Sequence, residues 1–383
     1  MNAVASKLFS MLREDGLRCC ILKGQGNALM YPNPYSRTPG DIDVWIHASR
    51  ERIIEYASKK FELEDDIRLQ HLETSLDGVP VELHFFPCSM NNPIYHTRLQ
   101  KWFRRNADLQ CSHIVGLPDG AGDIAIPTTA FNVIYQLMHL YHHFFDEGIG
   151  MRQIIDYFLV VNDFSKNVFL NNDLSNPSVN FSNHPVPLSK EGSTFSPSPS
   201  SSGSGDVTAP SRCSEPLRSK DGGPSKVSPD CAGWDRRGVS GDTGSVSCSS
   251  GSSITSVSSA FTTDSSASTA LDVVQRELKY LGLWKFAGAV MFVLHEVLGL
   301  AEDKMIVPID EKRGRLLLAE ILDGGNFGRH FTKYARFTHQ SMRKKYFLKI
   351  WRNMHFVRYY PAEALCEPLF RTWHFFWRMK NKK

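Results

Sequence analysis

The sequence lacks the marks of a disulfide-stapled, membrane-spanning or secreted protein. Its eight cysteines form no CxxC pair, which favours reduced thiols in a cytoplasm over a disulfide framework. The most apolar stretch, Phe286 to Leu300, contains His295 and Glu296 and is shorter than the roughly 20 residues that a bilayer span needs. No signal peptide is visible. These absences predict a cytoplasmic protein without a transmembrane segment.

An excess of charge of one sign is also lacking. The net charge of +4 is too small to indicate nucleic-acid binding by itself. A hydrophobic content of 42% can fill ordinary cores, and 383 residues are enough for two domains. The composition therefore predicts a globular protein with more than one structural region.

Apolar residues are sparse between residues 173 and 270, where Ser, Gly, Pro, Thr and Asp dominate. Such a segment cannot bury enough apolar surface to offset its ordering entropy. Helical patterns lie on both sides of it, and the cost of closing a loop grows only logarithmically with its length. We therefore expect a disordered Ser/Gly-rich insertion that interrupts one all-helical domain.

The most informative pattern is a pair of aspartates, Asp41 and Asp43, on a predicted strand. Apolar residues alternate with them in residues 41–46, so a period of two places both carboxylates on one face. Their mutual repulsion is tolerable when a divalent cation neutralises both. The pair predicts a metal-dependent phosphoryl or nucleotidyl transfer site.

A glycine turn precedes this pair. It follows the apolar run of residues 19–22 and leads into a short helix predicted at residues 27–31. A turn of this kind presents free backbone N–H groups that suit a triphosphate. A guanidinium or ammonium group can add phosphate contacts, although both basic side chains are equally compatible with a surface position. The candidate nucleotide-binding residues are Lys23, Gly24, Gln25, Gly26 and Arg37.

A third carboxylate follows the hairpin signal Asp77-Gly78. Alternation over residues 79–86 places Glu82 and His84 on one face of a strand. Glu82 lies on an apolar strand of the same region as the aspartate pair, so we expect it to face a cleft. His84 is a secondary site candidate beside it.

The following region is helical, with helices predicted from Pro127 to Leu140 and over residues 150–158, 271–281, 284–298 and 314–322. His139 and His143 are four residues apart, which is the spacing of a helical metal site. No HExxH pattern accompanies them, so a structural or substrate-facing role is favoured. A metal phosphohydrolase built on these histidines and Asp146 remains a third hypothesis.

Two further patterns concern helix surfaces. Arg152 and Asp156 are spaced for an i, i+4 ion pair. The segment 329–383 is basic and aromatic, a composition that can bind nucleic acid, an anionic membrane or a protein partner. We favour amphipathic helices whose aromatic side chains pack inward. The aromatics concerned are Phe347, Trp351, Phe356, Phe370, Trp373 and Trp377.

The residues Gly24, Asp41-Ile42-Asp43 and Glu82 resemble the arrangement of polymerase-β-type nucleotidyltransferases. The segments LKG, GDIDVWI and VELH are similar to a bacterial branch called uncharacterised nucleotidyltransferases, over the first third of the chain. The resemblance implies that the glycine turn holds the nucleotide phosphates and that Asp41 and Asp43 hold Mg²⁺ or Mn²⁺. It also implies that Glu82 is a metal ligand and catalytic group that helps to activate the attacking hydroxyl.

The predicted fold class is α+β, with a small mixed-sheet nucleotidyltransferase domain followed by the interrupted all-helical domain. The domain bounds are 1–120 for the α/β domain, 121–172 and 271–328 for the two helical parts, 173–270 for the insertion, and 329–383 for the basic aromatic helical segment.

The predicted activity is a Mg²⁺-dependent nucleotidyl transfer. An NMP group moves from a nucleoside triphosphate to the hydroxyl of an unidentified small-molecule or macromolecular acceptor, between two metal ions about 3.5–4 Å apart. The turn departs from the Gly-Ser or Gly-Gly of the superfamily, because Gln25 follows Gly24. The alternative is therefore a non-catalytic nucleotide- or partner-binding protein on the same fold.

Overall fold

A four-stranded mixed sheet organises the N-terminal part of the chain. The computed structural model describes residues 1–38, 40–63, 67–170, 265–324 and 342–381. The strands are β1 (Cys19–Leu22), β2 (Ile42–Ile46), β3 (His71–Leu76) and β4 (Val79–His84). Their order is β1-β2-β4-β3, in which β2 is antiparallel to β1 and parallel to β4, and β3 and β4 form a hairpin.

Helices and a small second sheet surround these strands. The helices are α1 (Asn2–Glu14), α2 (Gly24–Ala28), α3 (Arg50–Lys60) and α4 (Pro93–Ser112). The second sheet pairs β5 (Ile114–Gly116) with β6 (Asp123–Ala125) in antiparallel fashion. Short 3₁₀ helices lie at Pro34–Ser36 and Pro118–Gly120.

From Thr129 onward the described chain is helical. Its helices are α5 (Thr129–Asp146), α6 (Met151–Leu170), α7 (Ser265–Tyr280), α8 (Trp284–Leu298), α9 (Glu311–Gly324), α10 (Met342–Met354), α11 (Pro361–Ala364) and α12 (Glu367–Asn381). Short 3₁₀ helices lie at Glu302–Lys304 and His355–Arg358. A small mixed sheet followed by helices is the predicted α+β fold, which is thus confirmed.

The two faces of the four-stranded sheet belong to different cores. Alternate residues of β2, namely Ile42, Val44 and Ile46, are fully buried in a core that also contains Leu8 of α1 and Ile53 of α3. The other face joins the core of the helical region. There Trp45 stacks on Phe131 of α5 with a centroid separation of 6.2 Å. Side chains that share the parity of Trp45 therefore point toward the helices.

Several helices differ in length from their predicted bounds. α5 begins at Thr129 rather than Pro127, because Thr128 has the extended backbone of an N-cap residue. α6 continues beyond residue 158, and its buried Val160, Val161 and Phe164 show that the apolar face extends with it. α8 has the predicted bounds. The described helices include none that is long and apolar enough to cross a bilayer.

Residues 173–264 of the predicted insertion, whose bounds are 173–270, lie outside the described residues. Residues 265–270 belong to α7, so the helical pattern resumes earlier than the composition indicated. The predicted division of the chain into five segments stays a prediction, and the described residues all fall within one compact unit.

The aromatic residues near the C-terminus pack inward less than predicted. Phe356 is fully buried and lies 4.4 Å from Phe144, centroid to centroid. By contrast, Phe347 is 71% exposed, Trp351 66% and Trp373 51%. The inward-packing prediction is therefore wrong for these three side chains. Helical spacing places aromatics on one face, but it does not tell whether a neighbouring element covers that face.

Candidate active site

Three carboxylates converge where β2 and β4 run side by side. Asp43 and Glu82 are register partners on these parallel strands, so their side chains leave the same face of the sheet at adjacent positions. Asp41 lies one residue before β2. Carboxylate oxygens of the three residues lie within 4.8 Å of one another. We call Asp41, Asp43 and Glu82 the carboxylate site.

Two cationic side chains contact the carboxylate site from inside the protein. The Lys23 Nζ atom lies 2.8 Å from Oδ1 of Asp43, whose side chain is only 4% exposed. The Nε2 atom of His84 lies 3.1 Å from Asp43 and 3.1 Å from Glu82. His84 therefore joins the two strands through their carboxylates.

These contacts shift the pKa of each partner in the direction that favours its charged form: downward for Asp43 and upward for His84 and Lys23. Burial alone would raise the pKa of Asp43, but Lys23 and His84 hold it well below its usual range. Burial opposes the charge on His84, yet its hydrogen bonds to Asp43 and Glu82 raise its pKa to about 9. Burial likewise opposes the charge on Lys23, and Asp43 raises its pKa. At neutral pH this group is a network of charged partners.

Asp41 stands apart from this network. Burial raises its pKa first, and repulsion from Asp43 and Glu82 raises it further. The carboxylate site thus contains three acidic groups, whereas only two cationic side chains, Lys23 and His84, contact it. Closely spaced oxygens with unbalanced negative charge are the donors that a hard divalent cation binds. The residues present therefore fit such a cation.

The glycine turn is closed rather than open. Gly24 begins α2. A Cβ atom there would lie 3.8 Å from the Asp41 carbonyl oxygen, which is an ordinary contact. The positive φ of Gly24, rather than a lack of space, is therefore what favours glycine at this position. Gln25 is only 4% exposed. A Cβ atom on Gly26 would approach Ile126 to 3.1 Å. The turn is packed against the fold, and its predicted nucleotide contacts stay predictions.

Lys23 has a backbone conformation that is rare for a non-glycine residue, with φ of 51° and ψ of −122°. Such a conformation costs on the order of 1–3 kcal/mol and persists only where the surroundings impose it. Here the ion pair with Asp43 fixes the side chain. The predicted phosphate partner thus lies in the site, bound to a carboxylate.

The other predicted phosphate partner, Arg37, lies against α6. Its Nε and Nη2 atoms donate to the two carboxylate oxygens of Asp156 at 3.0 and 2.9 Å. The Tyr31 hydroxyl donates to the same carboxylate at 2.7 Å. The predicted pairing of Asp156 with Arg152 is therefore wrong, because a partner far away in sequence reaches Asp156 instead.

The helical histidine pair lies next to the site but lacks its predicted carboxylate. The Nε2 atoms of His139 and His143 are 3.0 Å apart, and Lys23 Nζ is 3.4 Å from that of His139. Burial lowers the pKa of His143 to about 3. Asp146 instead pairs with Lys349 and Arg371. Two groups of side chains in the described part of the chain are close enough to hold a metal ion, and neither includes His139, His143 or Asp146.

His71 is a site residue that the sequence analysis missed. It is the register partner of His84 across the β3–β4 hairpin, and its ring centroid lies 5.0 Å from that of His84. The signal was available, since the two-residue turn at Asp77-Gly78 fixes the pairing of the whole hairpin.

A mixed sheet with an aspartate pair and a third carboxylate on neighbouring strands is the arrangement that the resemblance to nucleotidyltransferases implies. Residues 1–175 match the family model described as "Uncharacterised nucleotidyltransferase". The predicted resemblance is thus confirmed.

One solved structure is a distant neighbour. It is the crystal structure of an antigenic nucleotidyltransferase-like protein from Paracoccidioides brasiliensis, 16% identical, covering 42% of this chain and 75% of that chain with a TM-score of 0.29. No curated protein matches the chain.

Proposed function

We propose that the protein is a Mg²⁺-dependent nucleotidyltransferase that moves an NMP group from a nucleoside triphosphate to a hydroxyl acceptor. The observation that carries this proposal is the carboxylate site, in which three acidic side chains lie within 4.8 Å on adjacent strands. The family of residues 1–175 points to the same class of reaction.

Asp41, Asp43 and Glu82 would hold the cation, with Mn²⁺ as a substitute of the same oxygen preference. When bound, Mg²⁺ supplies neutralisation of the charge on the triphosphate and on the departing pyrophosphate. The chain contributes positioning. Lys23 keeps Asp43 ionised, and His84 holds the carboxylates of Asp43 and Glu82 in a fixed relation.

The reaction forms one bond and breaks one. The acceptor oxygen forms a bond to the α-phosphorus while the bond from that phosphorus to the pyrophosphate oxygen breaks. Glu82 is the least enclosed member of its hydrogen-bonded trio with Asp43 and His84, at 22% side-chain exposure. It can therefore accept a hydrogen bond, and then the proton, from the incoming hydroxyl.

The test is pyrophosphate release from each of the four common nucleoside triphosphates, with and without Mg²⁺. Asp41→Asn and Asp43→Asn should each lower the rate at least about a hundredfold, the scale of loss when one transition-state-stabilising group is removed. Asp77→Asn is the matched control, because this carboxylate lies on the hairpin turn and is 49% exposed. Equal release by the wild type and Asp43→Asn would contradict the proposal.

A non-catalytic nucleotide- or partner-binding protein is the second candidate, and the packed glycine turn favours it. Gln25 and Gly26 are buried and offer fewer open backbone donors than a phosphate-binding turn would present. This candidate predicts Mg²⁺-dependent nucleotide binding by calorimetry without pyrophosphate release. A mass shift on an acceptor pool incubated with protein and nucleotide would identify the acceptor. It would also exclude the non-catalytic candidate.

A further inference from the structure

A second group of potential metal ligands shares one residue with the carboxylate site. It consists of His71, Glu82 and His84, whose ligand atoms lie within 4.8 Å of one another. His71 comes from β3, and the other two come from β4. We call these three residues the histidine–glutamate site.

The ring of His71 lies close to the carboxylates of Glu73 and Glu82 but forms no hydrogen bond with either. Its side chain is 12% exposed, and neither buried ring nitrogen has a hydrogen-bond partner in the described part of the chain. A buried imidazole that makes no hydrogen bond needs an explanation, and a metal ion provides one.

The distances suit a single small ion. Nδ1 of His71 lies 3.6 Å from Oε2 of Glu82, and Nε2 of His84 lies 3.1 Å from the same oxygen. Ligand atoms about 2.0–2.2 Å from one tetrahedral ion are about 3.3–3.6 Å apart. Small side-chain movements are therefore enough to close the three donors around one ion.

The far side of the His71 ring also has the surroundings of a metal-ligating histidine, whose second ring nitrogen typically donates its N–H to a carboxylate, a backbone carbonyl or water. Nε2 of His71 lies 3.6 Å from Oε1 of Glu73. Nδ1 of His84 lies 3.4 Å from the side-chain amide of Gln70. An ion at Nε2 of His84 would take the place of the proton that this nitrogen shares with Glu82.

We infer that His71, Glu82 and His84 bind a divalent transition-metal ion of the zinc class, distinct from the magnesium-type cation of the carboxylate site. Imidazole donors select zinc-class ions, whereas Mg²⁺ prefers oxygen donors. The two sites share Glu82. The inference does not require that nucleotidyl transfer takes place, because the ion is bound by the chain alone.

The experiment titrates the full, metal-free chain with Co²⁺ in excess Mg²⁺ and follows the visible absorption of the bound ion. The wild type should bind one Co²⁺ at this site, and His71→Gln should weaken that binding at least about tenfold. Asp41→Asn should leave it unchanged within about threefold, because Asp41 belongs only to the carboxylate site. His96→Gln is the matched control, because His96 is a half-buried histidine of α4 that lies outside both groups.

Two results would overturn the inference. One is a His71→Gln titration that matches the wild type. The other is an equal loss in Asp41→Asn and His71→Gln, which would place Co²⁺ at the carboxylate site.

A second measurement avoids variants that fail to fold. Crystals of the unmutated chain soaked in Zn²⁺ should show anomalous scattering between His71, Glu82 and His84. A peak at His139 and His143, or none at the proposed position, would contradict the inference. Pyrophosphate release is measured separately, so failure here leaves the proposed transferase activity open to its own test.

Discussion

Asp146 and Asp156 of the helical region are paired with cationic side chains, whereas the acidic side chains on the sheet are only partly neutralised. In the helical region, Asp156 of α6 receives two hydrogen bonds from Arg37. Asp146 of α5 meets both Lys349 and Arg371. Each of these aspartates therefore has at least one cationic partner, and the charge balance needs nothing from outside the chain.

The sheet shows the contrasting arrangement. Lys23 and His84 both contact Asp43, and His84 also contacts Glu82. Asp41 lies beside this network with a pKa raised by burial and by its acidic neighbours. The two aspartates of the helical region are thus balanced by cationic partners, whereas the sheet holds more acidic than cationic side chains at its carboxylate site.

The largest expected effect comes from breaking a balanced pair. Arg37→Met preserves the length of the side chain but leaves Asp156 buried without its bidentate partner, with both side chains 9% exposed in the intact pair. We expect the free energy of unfolding to fall by about 3–5 kcal/mol, measured by urea denaturation. A loss below about 1 kcal/mol, together with weakened nucleotide binding, would instead show that Arg37 is a phosphate ligand.

Lys7→Met serves as the control for that prediction. Lys7 pairs with Asp77 at 2.7 Å, but the two side chains are 52% and 49% exposed. An exposed pair of this kind contributes about 0–1 kcal/mol. The contrast between the two variants measures how much burial adds to an ion pair in this protein.

Glu363 is a buried acid of the helical region, and no cationic side chain among the described residues hydrogen-bonds to it. It accepts from the backbone N–H groups of Asn91 and Asn92, and burial raises its pKa to about 7. The folded chain therefore holds this proton more tightly than the unfolded chain. The associated stability is complete below about pH 4.5 and is lost by about pH 7, amounting to about 3 kcal/mol.

Glu363→Gln should remove this dependence, because glutamine does not titrate. The measurement is urea unfolding at several pH values between 4.5 and 7, compared with Glu51→Gln at an exposed position. Parallel pH profiles for the wild type and Glu363→Gln would show that another group carries the dependence.

Cation binding should stabilise the sheet region by slightly less than the pH-dependent contribution of Glu363. At a hundredfold excess over its dissociation constant, Mg²⁺ should raise the free energy of unfolding by about 2.7 kcal/mol. Asp41→Asn should lose most of this gain, and Asp77→Asn should retain it. If Asp41→Asn responds to Mg²⁺ like the wild type, the cation binds elsewhere.

Local patterns predicted which side chains share a face on β2 and on β4, but not the order or register of the strands. The alternation around Asp43 and the hairpin turn before Glu82 each determine which face a side chain takes. The sequence therefore predicted that Asp41, Asp43, Glu82 and His84 would share a face. It also predicted the order of sheet and helices, because apolar periodicity changes between the two regions.

Partners that depend on tertiary packing were not predictable in this way. Arg37 reaches Asp156 across 119 residues, and no local spacing encodes that contact. The closed glycine turn depends on Ile126 approaching Gly26. His71 was overlooked although the hairpin register contained it, because single histidines on strands carry no motif of their own.

The smallest expected effect is the change in the free energy of unfolding on Asp41→Asn. Its sign should be opposite to that of Asp156→Asn, so the two variants distinguish the sheet from the helical region. The raised pKa of Asp41 means that its folded-state stability contribution is present at low pH and is lost as the carboxyl ionises. Without a divalent cation at neutral pH, Asp41→Asn should therefore raise the free energy of unfolding, by less than about 1 kcal/mol because solvent screens this partly exposed group. Asp156→Asn should lower it, since Arg37 loses its charged partner. The measurement is urea unfolding of both variants in the presence of a chelator. A lower free energy of unfolding for Asp41→Asn would show that the cationic side chains of the sheet already neutralise Asp41.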